Sequence, residues 1–126
     1  MKKIFFVFIF SIFIITGCSE RTTIKVVGYK NISSSLKEEI MYEWYEEEPN
    51  KMIKTTYTYT YSNASRGTYD EQLIECDNYK RKGTMYKCSV EKSSGNVIVK
   101  KSISKDEEMT MEQAKDKLSQ NGYILE

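Results

Sequence analysis

The stretch Lys51-Met-Ile-Lys-Thr-Thr-Tyr-Thr-Tyr-Thr-Tyr-Ser62 alternates in side-chain type with a period of two. One side of it carries Ile53, Thr55, Tyr57, Tyr59 and Tyr61, and the other carries Met52, Lys54, Thr56, Thr58 and Thr60. Successive side chains of a strand point to opposite faces, and threonine and tyrosine are enriched in strands. The pattern therefore predicts a strand with one aromatic and one polar face, and favours a fold built around a sheet.

The chain before this stretch predicts a strand and then a helix. Residues 23–30 are short and β-branched, which is typical of a strand. Ser35 and Glu38 have the spacing of a capping box, which marks the start of a helix. Apolar residues then recur at four-residue intervals at Leu36, Ile40 and Trp44. Pro49 disfavours helix at the residue before it, so we expect the helix to end there.

The chain after this stretch predicts a hairpin and a further strand. Residues 68–77 and 84–92 are expected to pair, followed by a strand that begins at residue 97. The turn between the last two strands contains Ser94-Gly95. An even-length loop keeps one face apolar by pairing Val90 with Val99 and Tyr86 with Ile103, whereas an odd loop would not. We therefore expect the even register.

A second helix is predicted over about residues 108–120, ended by Asn121-Gly122, with a short edge strand at 123–125. The resulting order is β-α-β-β-β-β-α. It predicts an α+β fold in which an antiparallel sheet of four to five strands carries an N-terminal helix on one face and a C-terminal helix. The first six elements resemble a cystatin-like arrangement in their order alone.

The first 18 residues have the pattern of an export leader. Lys2 and Lys3 precede an apolar run at 4–16, which as a helix would rise roughly 20 Å, less than the hydrocarbon thickness of about 30 Å. All five phenylalanines of the chain lie in this run. The pattern is therefore typical of a signal peptide and not of a membrane-spanning helix.

The residues Ile15-Thr16-Gly17-Cys18 resemble the lipobox of bacterial lipoproteins. The resemblance implies a signal peptide at 1–17 and a lipidated tether at 18–22, and the patterns described above predict one α+β domain at 23–126. It also implies that the Cys18 thiol carries a diacylglyceryl group, with acyl chains such as palmitate holding the protein on a membrane lipid surface. An ordinary secretory leader with a chance cysteine is the alternative.

The expected location is the cell envelope. Because Ser19 stands where an aspartate would resemble an inner-membrane retention signal, the resemblance favours the outer membrane in a two-membrane cell. In a cell with one membrane it implies the outer face of that membrane.

The remaining cysteines, Cys76 and Cys88, form an even pair separated by a polar, glycine-containing stretch. In a hairpin their Cβ atoms would lie close enough for a disulfide. Two cysteines without a histidine leave too few ligands for a zinc site, so no metal is expected. The pair therefore predicts a structural disulfide, in keeping with an exported protein.

The charge balance and the missing residue types exclude several function classes. The chain has 19 Lys and Arg against 18 Asp and Glu, and without Lys2 and Lys3 the mature part is close to −1. A basic nucleic-acid surface is therefore not indicated. There is no histidine, no nucleophile motif and no glycine-rich phosphate loop. We therefore expect a non-enzymatic protein without a cofactor.

Tyrosine is the unusual feature of the mature chain, with ten residues. Its ring buries apolar area while its hydroxyl stays hydrated, which suits binding surfaces and half-covered sheets alike. We expect either that Tyr57, Tyr59, Tyr61 and Tyr69 bind a partner or that a helix covers them.

These features predict a lipoprotein that binds an envelope protein as an accessory or assembly factor. An inhibitor or immunity-type lipoprotein that blocks an enzyme or toxin, and a structural surface lipoprotein, are the alternatives.

Overall fold

Five long antiparallel strands form the centre of the molecule. The computed structural model describes residues 21–126, so the signal peptide and Cys18 lie outside the described residues. The long strands are β1 (Thr23–Ser33), β2 (Leu36–Tyr45), β3 (Lys51–Tyr61), β4 (Tyr86–Ser93) and β5 (Asn96–Ile103). Two-residue strands β6 (Glu107–Glu108) and β7 (Ile124–Leu125) extend the sheet, and the helices are α1 (Arg66–Lys80) and α2 (Met111–Gln120).

The strand order is β4-β5-β3-β2-β1-β7, with β6 paired to the first residues of β3. The α+β class and the antiparallel sheet agree with the sequence prediction. The described residues form seven strands, however, where four to five were expected. The element order also differs from the cystatin-like one, because two hairpin strands and not a helix follow β1.

The central strand β3 is confirmed, with a bulge near its start. Glu43 pairs with Lys54 but Trp44 pairs with Met52, so Ile53 is an extra residue between the two pairs. A bulge reverses the alternation of side chains on one side of it. Met52 therefore shares a face with Thr55 and is buried, whereas simple alternation placed it on the opposite face.

The predicted helix after residue 35 is wrong, because this segment is strand β2. A spacing of four residues fits a helix, but it is also two periods of a strand, so Leu36, Ile40 and Trp44 share one strand face. Tyr42 lies on that face and is also buried. Ser35 does not cap a helix; it lies in the turn, where its N–H donates to the Ser33 hydroxyl.

The predicted strand at 68–77 is also wrong, because these residues belong to helix α1. Ser65 caps this helix by accepting a hydrogen bond from the Thr68 N–H. The buried positions of α1 are Gln72 and Cys76, four residues apart on one side. A glutamine and a cysteine give no apolar periodicity, so the sequence carried little helical signal.

The predicted disulfide between Cys76 and Cys88 is present, but it joins α1 to β4 and not two strands of a hairpin. The Cα atoms of the two cysteines are 5.3 Å apart. The β4–β5 register is confirmed, with Tyr86 opposite Ile103 and Val90 opposite Val99.

The C-terminal helix and the short edge strand are confirmed, although the helix begins at Met111 and Glu108 belongs to β6. Helix α2 begins with a capping box formed by Thr110 and Gln113. It is followed by Gly122, whose positive φ of 85° favours glycine. Strand β7 then pairs with β1.

Both helices lie on the same side of the sheet, here called the helix face. Under α2 a core cluster includes Val26, Ile40, Trp44 and Leu118, and under α1 a smaller cluster includes Cys76, Val97 and Val99. The opposite side, here called the open face, carries Thr56, Thr58 and Thr60 of β3 and exposed lysines such as Lys100. Neither helix of residues 21–126 has the length and apolar character needed to cross a membrane.

The first described residues are attached to the loop between β2 and β3. The Arg21 guanidinium lies 3.8 Å from the centre of the Tyr45 ring and pairs with Glu47 and Glu48 at 3.3 Å each. The Glu46 N–H also donates to the Thr22 carbonyl at 2.9 Å. Residues 21–22 of the expected tether are therefore part of the folded domain.

Replacing Cys76 and Cys88 together with alanine is expected to lower the free energy of unfolding by about 2–3 kcal/mol, because the cross-link restricts the unfolded chain. Denaturant unfolding measures this loss. Amide hydrogen exchange should show the greatest loss of protection in α1, since Gln72 and Cys76 are its buried residues. An equal loss of protection in β1, β2 and α2 would contradict a local role for the disulfide.

Candidate binding groove

A groove lies on the helix face between α1 and α2. It consists of two adjoining hollows of about 210 and about 300 Å³, which share Tyr42, Tyr57 and Lys117 as lining residues. The first hollow extends towards Lys105 and Glu107, and the second towards residues of β1 and the end of α2. We call the two hollows together the groove.

The floor of the groove follows from the strand order. Because β3 lies between the strands that the two helices cover, its Tyr57 is covered by neither helix completely. Tyr57 pairs across the sheet with Ile40 on one side and with Lys101 on the other, and Tyr42 pairs with Thr55. The helix-face side chains at the centre of the sheet thus form a floor of tyrosine rings.

The walls of the groove are also aromatic. Tyr86 of β4 lines one side and packs edge-on against Tyr79 of α1, with 5.4 Å between the ring centres. The Tyr79 hydroxyl is buried, and within the described residues it has no hydrogen-bond partner. Burial raises the pKa of Tyr79, and the neighbouring Tyr57 and Tyr86 raise it further. On the other side of the groove lies Tyr123, which follows α2.

Lysines are spaced along the groove. Lys117 lies 6.0 Å above the Tyr42 ring, and Lys30 lies 5.3 Å from the Tyr123 ring while donating to the Asn121 carbonyl at 3.0 Å. Lys105 is exposed at one end. The ion pairs among residues 21–126 involve none of these three lysines.

Glu38 fixes the position of Tyr123, which lines the second hollow. The Tyr123 hydroxyl donates to the Glu38 carboxylate at 2.6 Å. The pKa of Tyr59 is raised by burial first, and then by the charge of Glu38 and a hydrogen bond to it. The pKa of Tyr123 is raised by burial, by its hydrogen bond to Glu38 and by the Glu38 charge. Both phenols therefore stay neutral at physiological pH.

Burial and the charge of Glu107 raise the pKa values of two tyrosines at the other end of the groove. Burial raises the pKa of Tyr42 and of Tyr57, and the charge of Glu107 contributes to both shifts. Neutral phenols donate hydrogen bonds, and ammonium groups only donate. The groove is therefore suited to a ligand rich in acceptors.

The four tyrosines singled out in the sequence are not one exposed surface. Tyr57 lines the groove, whereas Tyr59, Tyr61 and Tyr69 pack against the cluster under α1. Tyr69 lies on α1 and not on a strand. Partner binding therefore stays a prediction for these residues, and the position of Tyr57 gives it the most direct access to a ligand.

Sequence reasoning did not find Tyr42, Tyr123, Lys30 or Lys117 as candidates. The spacing of Leu36, Ile40 and Trp44 predicts a helix around Tyr42. Tyr123 and Lys30 come together only through the pairing of β7 with β1. Across residues 21–126 no group of three or more acidic or cysteine side chains is arranged to hold a metal ion. Comparison of the chain with protein-family models, curated proteins and solved structures finds no match.

Replacing Tyr123 with phenylalanine tests the hydrogen bond to Glu38. Because the folded pKa of Tyr123 lies above its ordinary value of 10.0, the phenol contributes stability below pH 10 that is lost as pH rises further. We expect the variant to lose about 1 kcal/mol at neutral pH. Above pH 10 its free energy of unfolding should fall less steeply than that of the wild type.

Denaturant unfolding at several pH values measures both effects. Tyr29→Phe is the matched control, since Tyr29 lies on the open face opposite Glu39. Parallel stability curves for wild type and Tyr123→Phe above pH 10 would contradict the assignment.

Proposed function

We propose that the protein is a non-enzymatic lipoprotein of the cell envelope whose domain binds a partner protein close to the membrane. The observation that carries the proposal is Ile15-Thr16-Gly17-Cys18, which follows a short apolar segment and resembles a lipobox. Cleavage before Cys18 would leave two or three acyl chains on the new N-terminus. At about 0.8 kcal/mol for each buried CH₂ group, two chains hold a protein stably on a bilayer.

The contacts of Arg21 support a position close to the membrane. Cys18 and Arg21 are three residues apart, so the lipid lies within about 10 Å of the sheet end to which Arg21 is attached. The loop between β2 and β3 then faces the headgroups. The location is the outer membrane in a cell with two membranes, or otherwise the outer face of the cell membrane.

The groove supports a binding function over a catalytic one. Its lining combines neutral phenols with lysines, and these groups recognise a ligand through hydrogen bonds and charge. An accessory or assembly factor uses such a surface to hold a larger envelope protein. An inhibitor or immunity-type protein would use it to block an enzyme or toxin.

Replacing Cys18 with alanine is expected to release the domain from membranes, because the acylated thiol is the attachment point. The measurement is the distribution of the protein between membrane and soluble fractions of cells that produce it. Ser19→Ala is the matched control and should stay in the membrane fraction. Membrane retention of a cleaved Cys18→Ala protein would refute lipid anchoring.

Crosslinking in intact cells, followed by affinity purification and mass spectrometry, tests partner binding. We expect one dominant protein in stoichiometric amount, since a dedicated binder holds one partner. An envelope assembly protein as that partner would support the accessory role. An enzyme or toxin as that partner would support the inhibitor role. A diffuse set of abundant envelope proteins would overturn both and indicate a structural surface component.

A further inference from the structure

We infer that the groove is a binding site for an extended acidic peptide segment of the partner protein, which lies along β3 with its carboxylates against Lys105, Lys117 and Lys30. The inference rests on the proposed function and names the chemistry of the partner.

The groove has the length of a short extended chain. Its end at Lys105 is level with the start of β3, because Lys105 follows Ile103, which pairs with Thr55. Its other end is level with Tyr59, because Lys30 pairs with Glu38 and Glu38 with Tyr59. Thr55 and Tyr59 are four residues apart, which is roughly 13 Å at 3.3 Å per residue of strand, and Lys105 lies two residues beyond Ile103. The groove is therefore long enough for about four to six extended residues, whereas a compact small molecule would occupy one hollow.

The lysines are spaced over this whole length. Lys105 lines the first hollow, Lys117 lines both and Lys30 lines the second. Glu107 is the one carboxylate among the lining residues of the two hollows. Glu38 lies beside the second hollow, where it accepts a hydrogen bond from the Tyr123 hydroxyl. The lining thus carries three cations and one carboxylate, and the excess is positive along the line that a ligand would follow.

The tyrosines complete the match to a carboxylate-bearing chain. The phenols of Tyr42 and Tyr57 remain protonated and donate, as the lysines do. Charge-assisted hydrogen bonds from such donors to carboxylates are stronger than neutral ones. The tyrosine rings also cover the apolar parts of a peptide. A basic or neutral peptide would leave the lysines without partners.

The test uses the full lipidated protein in detergent micelles and a fluorescein-labelled hexaglutamate peptide, with fluorescence polarisation as the readout. Labelled hexalysine and hexaserine are the control peptides. We expect hexaglutamate to bind with a salt-dependent affinity and the two control peptides not to bind. Absence of hexaglutamate binding at millimolar peptide would overturn the inference.

Charge reversal locates the site. Lys105→Glu together with Lys117→Glu is expected to weaken hexaglutamate binding about tenfold, since each reversal removes an attraction and adds a repulsion. Lys25→Glu together with Lys92→Glu makes the same change of net charge at positions that line neither hollow of the groove and should change affinity less than about twofold. An equal loss in both double variants would mean non-specific attraction and would overturn the site.

Two further measurements separate the remaining outcomes. Lys105→Gln together with Lys117→Gln removes the cations without introducing repulsion and keeps the test valid if the reversed variant does not fold.

Hexagalacturonate carries the same number of carboxylates on sugars, and binding tighter than that of hexaglutamate would replace the peptide with an anionic glycan. Capture of the same partner in cells by wild type and by the Lys105→Glu, Lys117→Glu variant would leave the proposed function standing and refute the groove as its site.

Discussion

The burial of Trp44 is the constraint on which the rest of the fold depends. Its side chain has no exposed surface, and its indole N–H donates to the Met109 carbonyl at 2.7 Å. An indole nitrogen buried without an acceptor would cost several kcal/mol, so the chain that supplies the acceptor must cross β2 at this point. That crossing brings the segment after β5 back over the sheet and places α2 above β1 and β2. Gly28 permits the close approach, because a Cβ atom there would lie 3.0 Å from Leu118 Cδ1.

The two helices are held on the sheet by different means, and the groove is the result. Helix α2 rests on a cluster of large apolar side chains around Trp44, whereas α1 rests on Val97, Val99 and the disulfide of Cys76. The strand β3 runs between the two clusters, so its central tyrosine, Tyr57, contributes to the edge of one of them and to the floor of the groove. The same strand order that divides the core also leaves a polar channel between its halves.

The sequence determines the strands more fully than the helices. The alternation of β3 and the register of β4 with β5 follow from period-two patterns that no helix shares. The four-residue spacing of Leu36, Ile40 and Trp44 fits a helix and a strand equally. The segment is a strand because it pairs with β1 on one side and with β3 on the other. In α1 the buried positions are held by Gln72 and Cys76, which have no apolar signature. The groove was beyond sequence reasoning for the same reason: Tyr42, Tyr57 and Lys117 lie on three elements and meet only in the folded sheet.

The single tryptophan of the chain has a consequence for how the molecule can be observed. Its fluorescence originates wholly beneath α2, because Trp44 and Leu118 belong to the same buried cluster. Helix α1 and its disulfide lie on the far side of β3 and share no cluster with the indole. Emission excited selectively from the tryptophan, without the ten tyrosines, therefore reports directly on one half of the domain. A melt followed in this way records the half built around Trp44, whereas tyrosine emission also includes residues packed under α1.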